Sequence, residues 1–395
     1  RLDVGKAIFR SREALMKSFA PALLLAVVLS FESMSADVLT DHLAANGRPP
    51  ADYVLSKFDD HRIVILGESH LGRRDTDLVR SLVPELRRRG IALAVEWLSF
   101  ESQARLDRLL AEPEWNAVVA TAILRDADWP YIEYREILKA VWEANRTPIA
   151  MPLLRVLAIG LPSDFRERKL DYDATMAQRV RDYSTDGTKR VLVYCGMHHA
   201  FTRYLQVEHR DAVRATEFMD RFGNIIWRRY AQDVFLIALH KPHWCGPGAD
   251  PAEASCPPFS GAIDCAGSAI GHPVGFDVIG SPIAEMRFPE SSYYAFGHPH
   301  LRFVDYTDGY IWSSAVDDLP QVALIPLDEW KPGTISTSDA VRKWEQRAMS
   351  LANPLERPSM KLLRSWRNSC PTVIPQGSVP QIPDAADFAS SPRSH

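Results

Sequence analysis

Four acid and imidazole side chains stand just beyond short apolar runs in this chain. Glu68 and His70 lie in Gly67-Glu68-Ser69-His70, Glu96 in Ala94-Val95-Glu96-Trp97, and His199 in Gly196-Met197-His198-His199. Two imidazoles and two carboxylates form a mixed nitrogen and oxygen donor set. Such a set suits a divalent transition metal (Mn, Co, Zn or Fe) with one position left for water. Water on that metal attacks a carbonyl at neutral pH while a spare carboxylate moves the proton. Without metal, a carboxylate–imidazole pair activates water directly. Either route hydrolyses an ester or amide bond in a small-molecule or peptide substrate.

Each residue taken alone also has an ordinary reading. A loop histidine is commonly solvated, and one of His198 and His199 is a spectator; the matched spacing of Gly67 to His70 and Gly196 to His199 favours His199. Glu96 ends an apolar run, where an unpaired carboxylate costs several kcal/mol. Gly67 and Gly196 are expected to let the chain turn off each strand. Arg73 and Arg74 follow closely and suit an anionic group on a substrate, although a solvated basic helix start accounts for them as well.

These residues must be brought together by the elements that carry them. Residues 62–67 and 91–96 read as buried strands around an amphipathic helix over 76–89, kinked at Pro84, which makes a βαβ unit with parallel strands. Helices are expected over 101–111, 131–145 and 165–184. Further strands are expected over 147–151, over 189–196, and over 233–240 at a sheet edge. The fold class is therefore α/β, with a mainly parallel sheet flanked by helices and a loop-rich C-terminal extension. In such sheets the ligand crevice lies at the carboxyl ends of the strands, where all four side chains fall. The divisions are a linker over 37–54, a core domain over 55–242, an extension over 243–352 packed on it, and a loose tail over 353–395. No internal repeat is present.

Composition bounds the function. The 395 residues are 46% hydrophobic and 24% charged, enough for a large core, so wholesale disorder is excluded. A net charge of -4 argues against a nucleic-acid binder. Met16 opens a basic start, an apolar stretch over 19–29 and a Ser-Met-Ser-Ala end, the three parts of a secretory signal cleaved after Ala36. That stretch is 11 residues long, too short to span a bilayer comfortably, so no stable membrane span is expected after cleavage. The exported form, with five basic and three acidic side chains removed, carries -6. The expected location is extracytoplasmic, periplasmic or secreted. There Cys245, Cys256 and Cys265 can close one loop disulfide, which is favoured over a metal cluster because no regular Cys-x-x-Cys pair occurs.

Two Gly-x-x-His elements after strands, with a glutamate ending the strand between them, resemble the superfamily of Tiki metalloproteases, TraB-type proteins, erythromycin-esterase-like enzymes and ChaN-like haem-binding uptake proteins. The resemblance covers residues 55–240; the helix over 131–145 followed by Thr147–Pro152 is similar to the ChaN-like pattern. It implies roles for Gly67, Glu68, His70, Glu96, Gly196 and His199. It also raises a binding function for haem or another iron porphyrin, with His198, His199, Tyr134 and Tyr194 as axial ligands. The absence of Cys-x-x-Cys-His excludes c-type attachment. ChaN-like members often carry a further histidine after the first motif, where this chain has Arg73, Arg74 and Asp75, and this places the hydrolytic branch ahead. A non-catalytic envelope scaffold is the third alternative.

Overall fold

A computed structural model describes residues 36–352 apart from 149, 186, 208–217, 245–254, 289–291, 296, 299 and 331–337. The signal sequence and the tail therefore lie outside the described residues. Seven strands form one sheet: β1 (Ile63–Glu68), β2 (Ile91–Ser99), β3 (Val156–Gly160), β4 (Arg190–Gly196), β5 (Val234–Leu239), β6 (Val274–Asp277) and β7 (Gly309–Trp312). Their order is β6-β7-β5-β1-β4-β2-β3, and every pairing is parallel except that of β6 with β7.

The strands are buried on both faces, as the continuous apolar runs require. Successive residues of β1 alternate between two hydrophobic cores: Ile63 and Ile65 enter one, Val64 and Leu66 the other. The first core is covered by α1 (Ala36–Asn46), α7 (Tyr172–Tyr183), α9 (Phe222–Tyr230) and α10 (Ala262–Ile270). The second is covered by α2 (Pro50–Lys57), α3 (Arg73–Arg89), α4 (Gln103–Ala111), α5 (Ala117–Arg125) and α6 (Ile132–Ala144). The α/β class read from the sequence is thus the observed one.

Four details differ from expectation. The third strand occupies Val156–Gly160 and not 147–151, where Pro148 and Pro152 bracket the apolar residues and withhold ladder hydrogen bonds. Val234–Leu239 is an interior strand, because the extension adds β7 alongside it and β6 beyond. The extension therefore builds part of the sheet. Residues 37–54 are largely helical, with Leu39, Leu43, Tyr53 and Val54 buried against the sheet. Helix α7 begins at Tyr172, seven residues later than expected, after Asp171 caps it by accepting from the N–H of Ala174.

Pro84 sits inside α3, which nonetheless continues to Arg89 and ends on left-handed Gly90. Cys265 is disulfide-bonded, and Cys195 is a free, buried thiol; residue 245 lies outside the described residues. Among the described residues no helix is long and apolar enough to cross a membrane. Two short helices, α8 (Met197–Ala200) and α11 (Phe303–Tyr306), punctuate the rim, and α12 (Leu327–Trp330) and α13 (Ser338–Ala352) close the described chain.

Candidate active site

The alternation along each strand decides where each acid points. Glu68 continues the phase of Val64 and Leu66, so it faces the layer of α6 and meets Tyr134 and Tyr194. Glu96 takes the phase of Ala92 and Ala94, so it faces α7 and the turn after β4. The two carboxylates therefore enter one rim from opposite sides of the sheet. The β2–β3 register shifts between Val95 and Ser99, an irregularity that begins beside Glu96.

Both acids are buried, at 1% and 2% exposure, and both are saturated with donors. Glu68 Oε1 accepts from the Tyr134 hydroxyl at 2.9 Å and lies 3.0 Å from His70 Nδ1, while Oε2 accepts from the Tyr194 hydroxyl. Glu96 Oε2 accepts the Gly196 N–H at 2.6 Å, and Oε1 accepts from Tyr172 at 3.3 Å. Such partners offset a desolvation cost of several kcal/mol per carboxylate.

The imidazoles complete a chain of charges. His70 leans on Glu68 through Nδ1 and turns Nε2 towards Glu96 Oε2 at 3.8 Å. His199 is held by Asp173 through Nδ1 at 2.7 Å and turns Nε2 towards Glu96 Oε1 at 3.5 Å. Asp173 also accepts the Phe222 N–H and faces Arg221, which fixes it in turn. The His199 ring stacks on Tyr172 at 4.9 Å, and the His70 ring lies 4.5 Å from Trp129. His70 holds a left-handed φ of 65°, a strained conformation for a residue with a side chain.

Gly196 is required for a reason other than turning. Its φ is -56°, open to any residue, but a Cβ there would lie 2.3 Å from His70 Nε2. The glycine lets the second motif pass against the first.

Environment pushes the two imidazoles apart. Burial lowers the His70 pKa to about 4; Glu96 opposes this, and Arg347, His199 and Lys241 add to it. Burial also works against the charged form of His199, but Glu96 and Asp173 outweigh it and hold its pKa above the ordinary value. Burial lifts Glu68 to about 7 against the donated hydrogen bonds of Tyr194 and Tyr134. An imidazole biased to its neutral form and one biased towards the imidazolium thus face Glu96, which is the separation that acid–base chemistry needs.

The structure brings Glu68, His70, Glu96 and His199 together. Among the described residues, however, no group of three or more His, Cys, Asp or Glu side chains is arranged to hold a metal ion. The expected four-ligand centre is not assembled among the described residues: Glu68 is turned to Tyr134 and Tyr194, and Glu96 Oε2 to the Gly196 N–H. Tyr134 and Tyr194, expected as axial ligands, are fully buried and donate to Glu68. His198 packs near Phe201 and Tyr294, with burial pushing its pKa well down. Nε2 of His70 and of His199 make no short hydrogen bond. Arg73 is turned to Asp77 and Glu133, each at 3.9 Å, and Arg74 is exposed.

Sequence reasoning missed Asp173, Tyr172, Trp129 and Lys241. Asp173 follows a helix cap and reads as a surface acid; only packing against α9 brings it under His199. Lys241 carried one legible signal, its place just after a strand that ends at the same rim.

The fold and site define an α/β protein with a paired acid–imidazole rim. Residues 54–165 match the family model described as haem-binding uptake, Tiki superfamily, ChaN. This bears out the superfamily resemblance over a span that includes Glu68, His70, Glu96 and Tyr134 and ends before Asp173 and His199. No curated protein sequence matches the chain. Among solved structures, the chain is similar to a Bacillus cereus protein at 10% identity and TM-score 0.49, covering 74% of this chain and 100% of that one. It is similar to a succinoglycan biosynthesis protein at 10% identity and TM-score 0.48, covering 73% and 98%. A mutant erythromycin esterase in its open conformation gives 11% identity and TM-score 0.43, covering 71% and 98%.

Proposed function

We propose that the protein hydrolyses ester or amide bonds by acid–base catalysis across the Glu68–His70 and His199–Asp173 pairs. The observation that carries this reading is Glu96 facing the Nε2 atoms of both imidazoles. With Nδ1 turned to Glu68, neutral His70 directs a lone pair from Nε2 to take a proton from water. His199, held by Asp173 and biased towards the imidazolium, gives a proton to the leaving group. Glu96 sets the distance between the two rings and balances the cation. Each proton transfer is worth roughly 10²–10⁴-fold.

The test is turnover of neutral and charged model esters and of a peptide library by the purified protein. His70→Ala and His199→Ala should each lower kcat/KM by about 10²-fold or more. Unchanged turnover in both variants would overturn the assignment.

The family match favours a second reading, haem binding, through His70 or His199, whose Nε2 atoms make no short hydrogen bond. A Soret shift on adding haemin that His70→Ala or His199→Ala abolishes would support it. We also propose that the protein is exported. The signal-like residues 1–36 and the disulfide at Cys265 support this. N-terminal sequencing of the secreted form should begin at Asp37.

A further inference from the structure

We propose that this site is built for an anionic substrate, with Lys241 and Arg347 holding a carboxylate or phosphate group beside His70; this rests on the hydrolase reading above. Lys241 reaches the rim by strand register. Ala238 of β5 pairs with Gly67 of β1, so Lys241 and His70 each stand three residues beyond a paired position on neighbouring parallel strands. Arg347 arrives from α13. Its guanidinium lies 4.3 Å from the Trp129 ring centre, and that ring is 4.5 Å from His70.

The other cation that acts on the imidazoles, Arg221, is paired, as are Arg203 and Arg73. Arg221 faces Asp173 and donates to Gln206, Arg203 pairs with Asp308, and Arg73 turns to Asp77 and Glu133. Lys343 takes Asp128, the acid next to Trp129. Among the described residues, Lys241 and Arg347 make no hydrogen bond or ion pair. The acids that attract Lys241, Asp75 and Glu68, are themselves held towards their neutral forms by burial. A half-buried ammonium and a guanidinium without a counter-charge suit a ligand that brings one, and a guanidinium fork matches carboxylate and phosphate oxygens. Burial lowers the Lys241 pKa only to about 8, so the ammonium persists at neutral pH. The role expected of Arg73 and Arg74 thus passes to residues distant in sequence.

Two measurements test this. First, calorimetric titration compares phenylacetate with uncharged phenylacetamide on the full chain. Phenylacetate should bind about 10-fold tighter, as a charged hydrogen bond implies. The preference should shrink at high ionic strength and be lost in Lys241→Met and in Arg347→Met, with thermal unfolding checking that both variants fold. Equal binding of the two probes, or a preference that survives both substitutions, overturns the proposal. Second, hydrolysis of p-nitrophenyl acetate is compared with that of p-nitrophenyl hemisuccinate. The kcat/KM ratio should favour the charged ester and fall towards one in the variants. Anion-selective binding without turnover of either ester would sink the hydrolase reading and leave anion recognition standing. Turnover with no charge preference would do the reverse.

Discussion

His70 and His199, separated by well over a hundred residues in the chain, direct their Nε2 atoms at opposite oxygens of one buried carboxylate, at 3.8 and 3.5 Å from Glu96. Each is fixed from behind by its own acid, Glu68 or Asp173. The symmetry is geometric only, since burial wins at His70 and the flanking acids win at His199.

This asymmetry sets a pH profile. His70 must be neutral and His199 protonated, so kcat/KM should rise as pH increases through about 4 and fall again above the ordinary imidazole value of 6.5. Asp173→Asn removes one of the two acids that raise His199. The alkaline limb should move to lower pH in that variant while the acid limb stays. An unmoved alkaline limb would remove His199 from the role of acid.

Gly196→Ala should leave the fold intact and the site damaged. The added methyl meets the His70 ring, 2.3 Å from Nε2, and not backbone. The ring must swing away from Glu96, and kcat/KM should drop by about 10²-fold, the scale on which a misplacement of about 1 Å acts. Activity equal to the parent would show that the contact does not place His70. Gly160→Ala is the contrasting variant, because its methyl would meet the Glu96 carbonyl carbon and oxygen; expression or thermal stability should suffer first.

Tyr134→Phe and Tyr194→Phe each remove a donor that keeps Glu68 ionised. The Glu68 pKa should then climb above about 7, and His70 should lose its anchor at higher pH. The Glu68 carboxyl titration, followed by infrared difference spectroscopy, should shift upward in each variant. Identical titrations would contradict the arrangement.

Stability should carry the same signature. Glu68 binds its proton more tightly folded, with a pKa of about 7 against 4.5 unfolded, so it makes stability fall as pH rises through that window. His70, at about 4 against 6.5, makes stability rise over pH 4 to 6.5. The two oppose each other up to pH 6.5. In His70→Ala the opposing slope is gone, and Tm should decline between pH 4.5 and 7 more steeply than in the parent. A parallel pair of Tm curves would show that the two residues do not share this balance.

The sequence by itself determined most elements of the core and their order. Apolar runs ended by glycine marked β1 and β4, the apolar run after Gly90 marked β2, and the alternation with helices made them parallel; parallel order then placed Glu68, His70, Glu96 and His199 at one rim. Local pattern could not say which face each acid takes, since that depends on sheet phase and on the irregularity beside Glu96. Nor could it show that Tyr134 and Tyr194 serve Glu68, or that Asp173, Lys241 and Arg347 belong to the site. Those are contacts between segments far apart in the chain, and a short motif carries no record of what packs on it. Tertiary structure also turned the expected edge strand over 233–240 into an interior one, because only pairing with β7 decides whether an apolar strand has two neighbours. Residue chemistry is written locally, but the protonation and reach of each group come from the burial and charge that the whole fold collects around it.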